Sequence, residues 1–225
     1  MSATVELMGA TAGYGPVDVL HGVTMALPAG SVIALVGRNG AGKSTVLRCI
    51  AGLVPLRAGA VHLDGRDITR AVVHQRAQAG IMLIPDERGT FRDLTVAENL
   101  DVLGAGRPPT AALDVFPDLL PRLGQQAQTL SGGEQQMLAL SRLFLRPSRV
   151  ILVDELSRGL SPAVTARCYA ALSTLIGPDR VIVVVEQYLH DVMRLAYIVY
   201  VMARGNVAFA GEPGELGSEQ AGAGG

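Results

Sequence analysis

The chain has 225 residues, 49% of hydrophobic and 17% of charged types, enough for one sizeable core with room for a small subdomain. Its formal net charge of −1 lacks the excess of Lys and Arg by which a duplex-binding surface announces itself, so nucleic acid is not an expected partner. The longest apolar runs, at 181–185 and 197–203, fall far short of the roughly 20 residues that cross a bilayer. The start MSATVELMGA has neither a basic segment nor a sustained apolar stretch, and Cys49 and Cys168 stand far apart; the expectation is a cytoplasmic protein whose cysteines are buried small hydrophobes.

The N-terminal stretch, with Asp64-Gly65 inside VHLDGRDI, reads as an antiparallel, hairpin-rich β subdomain. Apolar β-branched runs at Val32–Val36, Ile81–Ile84, 150–153 and 181–185 are each followed by a turn and a segment of helical period. Strands covered on both faces read as such continuous runs, so the fold class is α/β with a mainly parallel sheet. After the first run, Val46, Ile50 and Leu53 repeat at i, i+4 and i+7, which predicts a helix over 43–53. From about residue 91 the β-branched runs vanish; Thr95 and Glu98 form a capping box before Val96, Leu100 and Leu103, and residues 104–109 break the pattern. A short helical subdomain is expected over about 91–145. Ser161-Pro162 predicts the start of a further helix with Val164, Cys168, Leu172 and Leu175 on one face. One domain is expected to span 1–216, with the helical subdomain inserted in it, and the Gly-, Ala- and Ser-rich residues 217–225 to form a flexible tail.

Gly37-Arg38-Asn39-Gly40-Ala41-Gly42-Lys43-Ser44 satisfies the P-loop pattern between a strand and a helix, with Thr45 following. Glycines let the backbone wrap a polyphosphate and aim consecutive N–H groups at it, and the helix start adds its positive dipole end. Lys43 is expected to hold the β- and γ-phosphates of ATP, and the Ser44 hydroxyl to ligate Mg²⁺. The strand that begins at Val150 ends in Asp154-Glu155. An acidic pair at a strand end would by itself read as solvated charge; beside a P-loop, Asp154 becomes a Mg²⁺ ligand and Glu155 the general base for the attacking water. In Leu130-Ser131-Gly132-Gly133-Glu134-Gln135-Gln136, Ser131 and Glu134 form a capping box. A plain helix start gains nothing from two glycines, which suit close approach of a ligand, so Ser131, Gly132 and Gly133 are read as a second anion site.

LSGGEQQ, placed between the P-loop and the VDE strand, resembles the signature of ABC transporter ATP-binding proteins. FRDLTVAENL, LSGGEQQMLAL and VVVEQ are most similar to the LivF-like group of branched-chain amino acid importers; the resemblance covers nearly the whole chain. It implies a P-loop ATPase whose signature closes over ATP held by a second ATPase subunit, the same or related, and which works peripherally on the inner face of the membrane. The implied partners are transmembrane permease subunits, with a coupling helix received near residues 91–100, and indirectly an extracytoplasmic solute-binding protein. Tyr14 matches the family's adenine-stacking aromatic. Asp86 stands where these proteins usually carry Gln or Glu at the Q-loop, with Glu87 beside it as a substitute, and is expected to reach Mg²⁺ or the water. Gln187 falls at the switch histidine, Leu156 replaces the usual proline, and the segment from Ser157 to Ser161 lacks the usual D-loop aspartate. Cargoes such as urea or amides, a non-transport ABC switch and a P-loop kinase are the competing readings. The last two are disfavoured by the missing coiled-coil insertion and by a signature that kinase chemistry does not need.

Overall fold

The computed structural model describes residues 3–86, 89–187 and 192–216; Glu87 and the tail 217–225 lie outside them. The chain runs through β1 (Ala3–Tyr14), β2 (Val17–Pro28), β3 (Val32–Val36), α1 (Lys43–Ala51), β4 (Ala58–Leu63), β5 (Arg66–Asp67), α2 (Val73–Gln78) and β6 (Ile81–Ile84). It continues through α3 (Val96–Gly104), α4 (Thr110–Val115), α5 (Gly132–Leu145), β7 (Val150–Asp154), α6 (Pro162–Ser173), β8 (Val181–Glu186), β9 (Ile198–Ala203) and β10 (Asn206–Gly211).

Two sheets result. An antiparallel sheet has the order β2-β1-β4-β5, and a six-stranded sheet the order β10-β9-β3-β8-β7-β6, parallel except for β10 at its edge. Every residue of β3, β7 and β8 is buried, and the period of two divides them between two cores. Ile33, Leu35, Leu152, Val183 and Val185 join α1 and the antiparallel sheet. Val32, Ala34, Val36, Ile151, Val153 and Val184 join α3, α5 and α6. The two sheets are also pinned by Tyr200, whose hydroxyl accepts from the Ala26 N–H at 3.1 Å and donates to its carbonyl at 3.0 Å.

The predicted capping boxes form: Thr95 begins α3 and Ser131 begins α5, while Ser161 and Pro162 begin α6. Cys49 and Cys168 are buried as expected, and desolvation pushes their thiols up to about 12 and about 11. Helix α1 corrects the expected range. It ends at Ala51 because Gly52, in the left-handed region at φ 80°, caps it through N–H bonds to the Arg48 and Cys49 carbonyls. Leu53 is therefore off the buried stripe and 53% exposed. The run 197–203, weighed in the sequence only as a possible span, supplies β9. Among the described residues no helix is long and apolar enough to cross a membrane.

The parallel order sets the site. Strands β3, β6, β7 and β8 all point the same way, so the segments after Val36, Ile84, Asp154 and Glu186 leave one edge of the sheet, where ligands of open α/β sheets bind.

Candidate functional site

The loop 37–42 turns from β3 into α1 on positive-φ glycines: Gly37 at 147°, Gly40 at 80° and Gly42 at 102°. At Gly37 a Cβ would lie 2.3 Å from the Met202 carbonyl oxygen, so β9 excludes any side chain there. Among the described residues, the N–H groups of Asn39, Gly40, Gly42, Lys43, Ser44 and Thr45 donate to no protein acceptor, whereas Ala41 donates to the Arg38 carbonyl at 3.1 Å and Val46 to Gly42 at 3.0 Å. A run of open donors at a helix start is an anion cradle. Lys43, only 4% exposed, places its ammonium across the loop and donates to the carbonyls of Gly37 at 2.7 Å and Arg38 at 3.1 Å. Burial lowers its pKa, opposed by the charges of Glu155, Asp154 and Glu186.

The Ser44 hydroxyl donates to Asp154 Oδ1 at 2.9 Å, joining the P-loop to the end of β7. Desolvation lifts the Asp154 carboxyl to about 6; the Ser44 bond and Arg48 oppose that rise, while Asp86 and Glu155 add to it. One hydroxyl and one carboxylate oxygen side by side suit a hard cation that keeps water and phosphate oxygens as its remaining ligands, which is how Mg²⁺ binds. No cluster of three or more His, Cys, Asp or Glu among the described residues could hold a metal without such help.

Glu155 sits in the left-handed region at φ 48°, a conformation costing a non-glycine residue about 1 kcal/mol or more. Its N–H donates to the Val185 carbonyl at 3.0 Å, and its carboxylate accepts from Arg158 Nη1 at 3.0 Å. The same Nη1 lies 3.7 Å from Asp86 Oδ2. Leu156 is fully buried in the core shared with α5 and α6, so the residue replacing the family's proline is an apolar anchor for this turn. Ser157 is held by Glu186, whose carboxylate accepts from its N–H at 3.0 Å, from its hydroxyl at 2.8 Å, and from the Tyr169 hydroxyl at 2.8 Å. Desolvation raises the Glu186 pKa against these bonds. Gln187 follows directly and is exposed.

Tyr14 ends β1 and is 45% exposed; its hydroxyl accepts from Arg48 Nη1 at 3.1 Å, which brings it over α1 beside the cradle. Arg57 fastens the following turn through Asp18 and the Gly15 carbonyl. Thus Lys43, Ser44, Asp154, Glu155, Asp86, Gln187 and Tyr14 converge around one sheet edge. Ser131 does not join them. It is exposed at the start of α5, and its partner is Glu134, which accepts from the Ser131 N–H at 2.8 Å and donates its own N–H to the Ser131 hydroxyl at 3.3 Å. Gly133 has an additional reason to be glycine: a Cβ there would meet both Val164 methyls at 3.1 Å. Sequence reasoning passed over three residues of this region. Arg48 and Arg158 carry no signal in the sequence, whereas Glu186, an acid ending a buried apolar run, shows the same signal as Asp154.

A glycine-lined anion cradle at the carboxyl edge of a parallel sheet, with its serine bonded to an aspartate from a neighbouring strand, defines a P-loop nucleotide-binding protein. The chain belongs to the ABC transporter family, which it matches over residues 20–158, and it is an ATPase of that ATP-binding cassette class. It is 35% identical to the probable branched-chain amino acid transport ATP-binding protein LivF of Archaeoglobus fulgidus, over 96% of this chain and 94% of that one. It is 32% identical to the high-affinity branched-chain amino acid transport ATP-binding protein BraG of Pseudomonas aeruginosa, over 86% of each chain. The autoinducer 2 import ATP-binding protein LsrA of an Enterobacter species is 34% identical over 94% of this chain and 44% of its own. The fold matches the ADP conformation of MJ1267, an ATP-binding cassette of an ABC transporter, with a TM-score of 0.80, 22% identity and coverage of 98% of this chain and 94% of that one.

Proposed function

We propose that this chain is the ATP-hydrolysing subunit of an importer, energising uptake of branched-chain or related amino acids through a separate membrane permease at the inner face of the membrane. The observation that carries the reading is the 2.9 Å bond between Ser44 and Asp154, which unites a P-loop with a strand-end carboxylate in a chain similar along its length to LivF and BraG. The open N–H groups of the loop 37–45 bind the ATP phosphates and Lys43 neutralises the β- and γ-phosphates. Ser44 and Asp154 would hold Mg²⁺, which would supply neutralisation of phosphate charge. Glu155 takes the proton of the attacking water, Asp86 orients that water, Gln187 donates to a γ-phosphate oxygen, and Tyr14 stacks on adenine. Ser131, Gly132 and Gly133 close over the ATP of a second ATPase subunit, as the likeness of LSGGEQQ to the family signature implies.

The permease partner fits a groove of about 730 Å³ between the β6–α2 side and the α3–α5 side. Its lining includes the exposed apolar residues Leu53, Val73, Phe91 and Val102, with Arg142 and Arg146 at its border. An amphipathic helix from the permease, apolar on one face, is the occupant these residues suit. Residues about 91–145 then act as the helical subdomain that senses it. An extracytoplasmic solute-binding protein would deliver the cargo to the permease. The similarity to LsrA favours a second reading, in which the cargo is another small polar solute.

Uptake by cells expressing the chain with its permease tests the reading. Labelled leucine should accumulate, and Lys43→Ala should abolish that uptake together with ATP binding. Leucine uptake that survives Lys43→Ala would contradict it, and uptake of a different solute alone would move the cargo to the second reading.

A further inference from the structure

The segment after Glu155 carries a charge that no part of the proposed cycle uses. Arg158 Nη1 donates to Glu155 Oε2 at 3.0 Å and lies 3.7 Å from Asp86 Oδ2, so one guanidinium bridges carboxylates that leave the ends of β7 and β6. The contact is asymmetric in exposure. The Arg158 side chain is 70% exposed, whereas those of Glu155 and Asp86 are 17% and 25% exposed. A solvated cation thus reaches inward to two largely sheltered anions. Because its cation is largely in solvent, such a pair is screened by salt and yields to a competing charge.

The backbone explains why the pair forms. Glu155 at φ 48° begins a turn in which the Arg158 N–H donates to the Glu155 carbonyl at 3.4 Å, so the two side chains emerge three residues apart on one side. Below them the turn is fixed by buried Leu156 and by the three hydrogen bonds on Glu186. The Arg158 side chain, 70% exposed above this fixed turn, has room to leave. The guanidinium occupies one lone pair of Oε2 and holds the carboxylate in one orientation, which a base must leave to turn toward a water placed elsewhere.

We propose that Arg158 is a positioning residue that holds Glu155 in a paired resting state, and that the negative charge of a bound triphosphate draws the guanidinium away and frees the base. This rests on the reading of Glu155 as the general base. The device gives the cassette low turnover until nucleotide and closure supply a better partner for Arg158. A weak pair suits it, because the pair must break in every cycle.

The test uses the full-length chain in enzyme excess over ATP, with the rate of single-turnover hydrolysis measured across a series of NaCl concentrations, alongside ATP affinity and thermal midpoint. The wild type should accelerate as salt screens the pair. Arg158→Met should hydrolyse ATP about two- to five-fold faster at low salt, the factor a weak surface pair supplies, and should lose the salt-dependent rise. Its thermal midpoint should stay unchanged, its ATP affinity should shift by no more than about the same factor, and Arg158→Lys should keep the salt dependence. A rate and salt response in Arg158→Met equal to the wild type would overturn the proposal, and so would a slower rate, which would make Arg158 an aid to catalysis. Glu155→Gln separates the two layers: full turnover there would move the base elsewhere and so strike the underlying reading, not the restraint alone.

Discussion

Burial lifts the Asp154 carboxyl to about 6 from an ordinary 3.8, so folding favours its protonated form. Below 3.8 the group is protonated in both states and costs nothing; between 3.8 and 6 the cost grows, and above 6 it is fully present. In the nucleotide-free chain with EDTA present, Asp154→Asn should therefore be more stable than the wild type by about 3 kcal/mol at pH 7.5. That gain should vanish toward pH 4, and urea unfolding at the two pH values measures it. A gain independent of pH would place the cost elsewhere. The destabilising charge is what an ion-binding site requires, since a cation at Ser44 and Asp154 removes the penalty that the empty fold bears. At this scale the cradle was legible in the sequence because glycine, lysine and serine at fixed spacing have few other uses. Arg48 and Arg158 were not, because a lone arginine in a turn is indistinguishable from a solvated surface charge until its partners, distant in sequence, are placed.

The elements that present these residues depend on how their ends are finished. Helix α1 starts at the phosphate cradle and ends against Arg76, which is 4% exposed and forms no ion pair with a carboxylate among the described residues, although the charge of Asp67 acts on it. Its guanidinium donates to the carbonyls of Cys49 at 2.7 Å, Ile50 at 2.9 Å, Ala71 at 2.9 Å and Thr69 at 2.8 Å. A cation at a helix C-terminus meets the negative dipole end and satisfies carbonyls that lack partners within the helix. Burial lowers the Arg76 pKa, opposed by the charges of Cys49 and Asp67, so desolvation outweighs the nearby anions. Arg76→Met keeps the length and loses the donors, and should cost about 3 kcal/mol in urea unfolding. A loss below about 0.5 kcal/mol would show that water serves those carbonyls equally well. Strands β3, β6, β7 and β8 were readable because burial on both faces leaves an uninterrupted apolar run. The end of α1 was misread by two residues because Leu53 keeps the helical spacing, while Gly52 stops the helix through its backbone. Strand β9 was missed as a strand because its run resembles the others but follows the last recognised motif.

The parallel sheet gathers the cradle, the strand-end acids and Gln187 at one edge of the molecule, while the start of α5 carries Ser131 and Gly133 elsewhere. On the proposed reading, a single copy carries both halves of a nucleotide site without joining them. The family signature made the second half legible, and the structure adds that Gly133 also serves packing against Val164. Gly133 therefore has a packing reason to be glycine, separate from the proposed contact with a ligand. The central claim is that ATP is closed between the cradle of one ATPase subunit and the α5 start of another. It is tested most directly by cross-linking Asn39→Cys in one subunit to Ser131→Cys in the other on a Glu155→Gln background, using the chain alone and the chain with any ATPase that co-purifies with its permease. The native cysteines are buried and do not compete. The account predicts an inter-subunit cross-link that appears with Mg²⁺-ATP and fades without nucleotide; a cross-link confined to single chains, or none with ATP in either preparation, would contradict it.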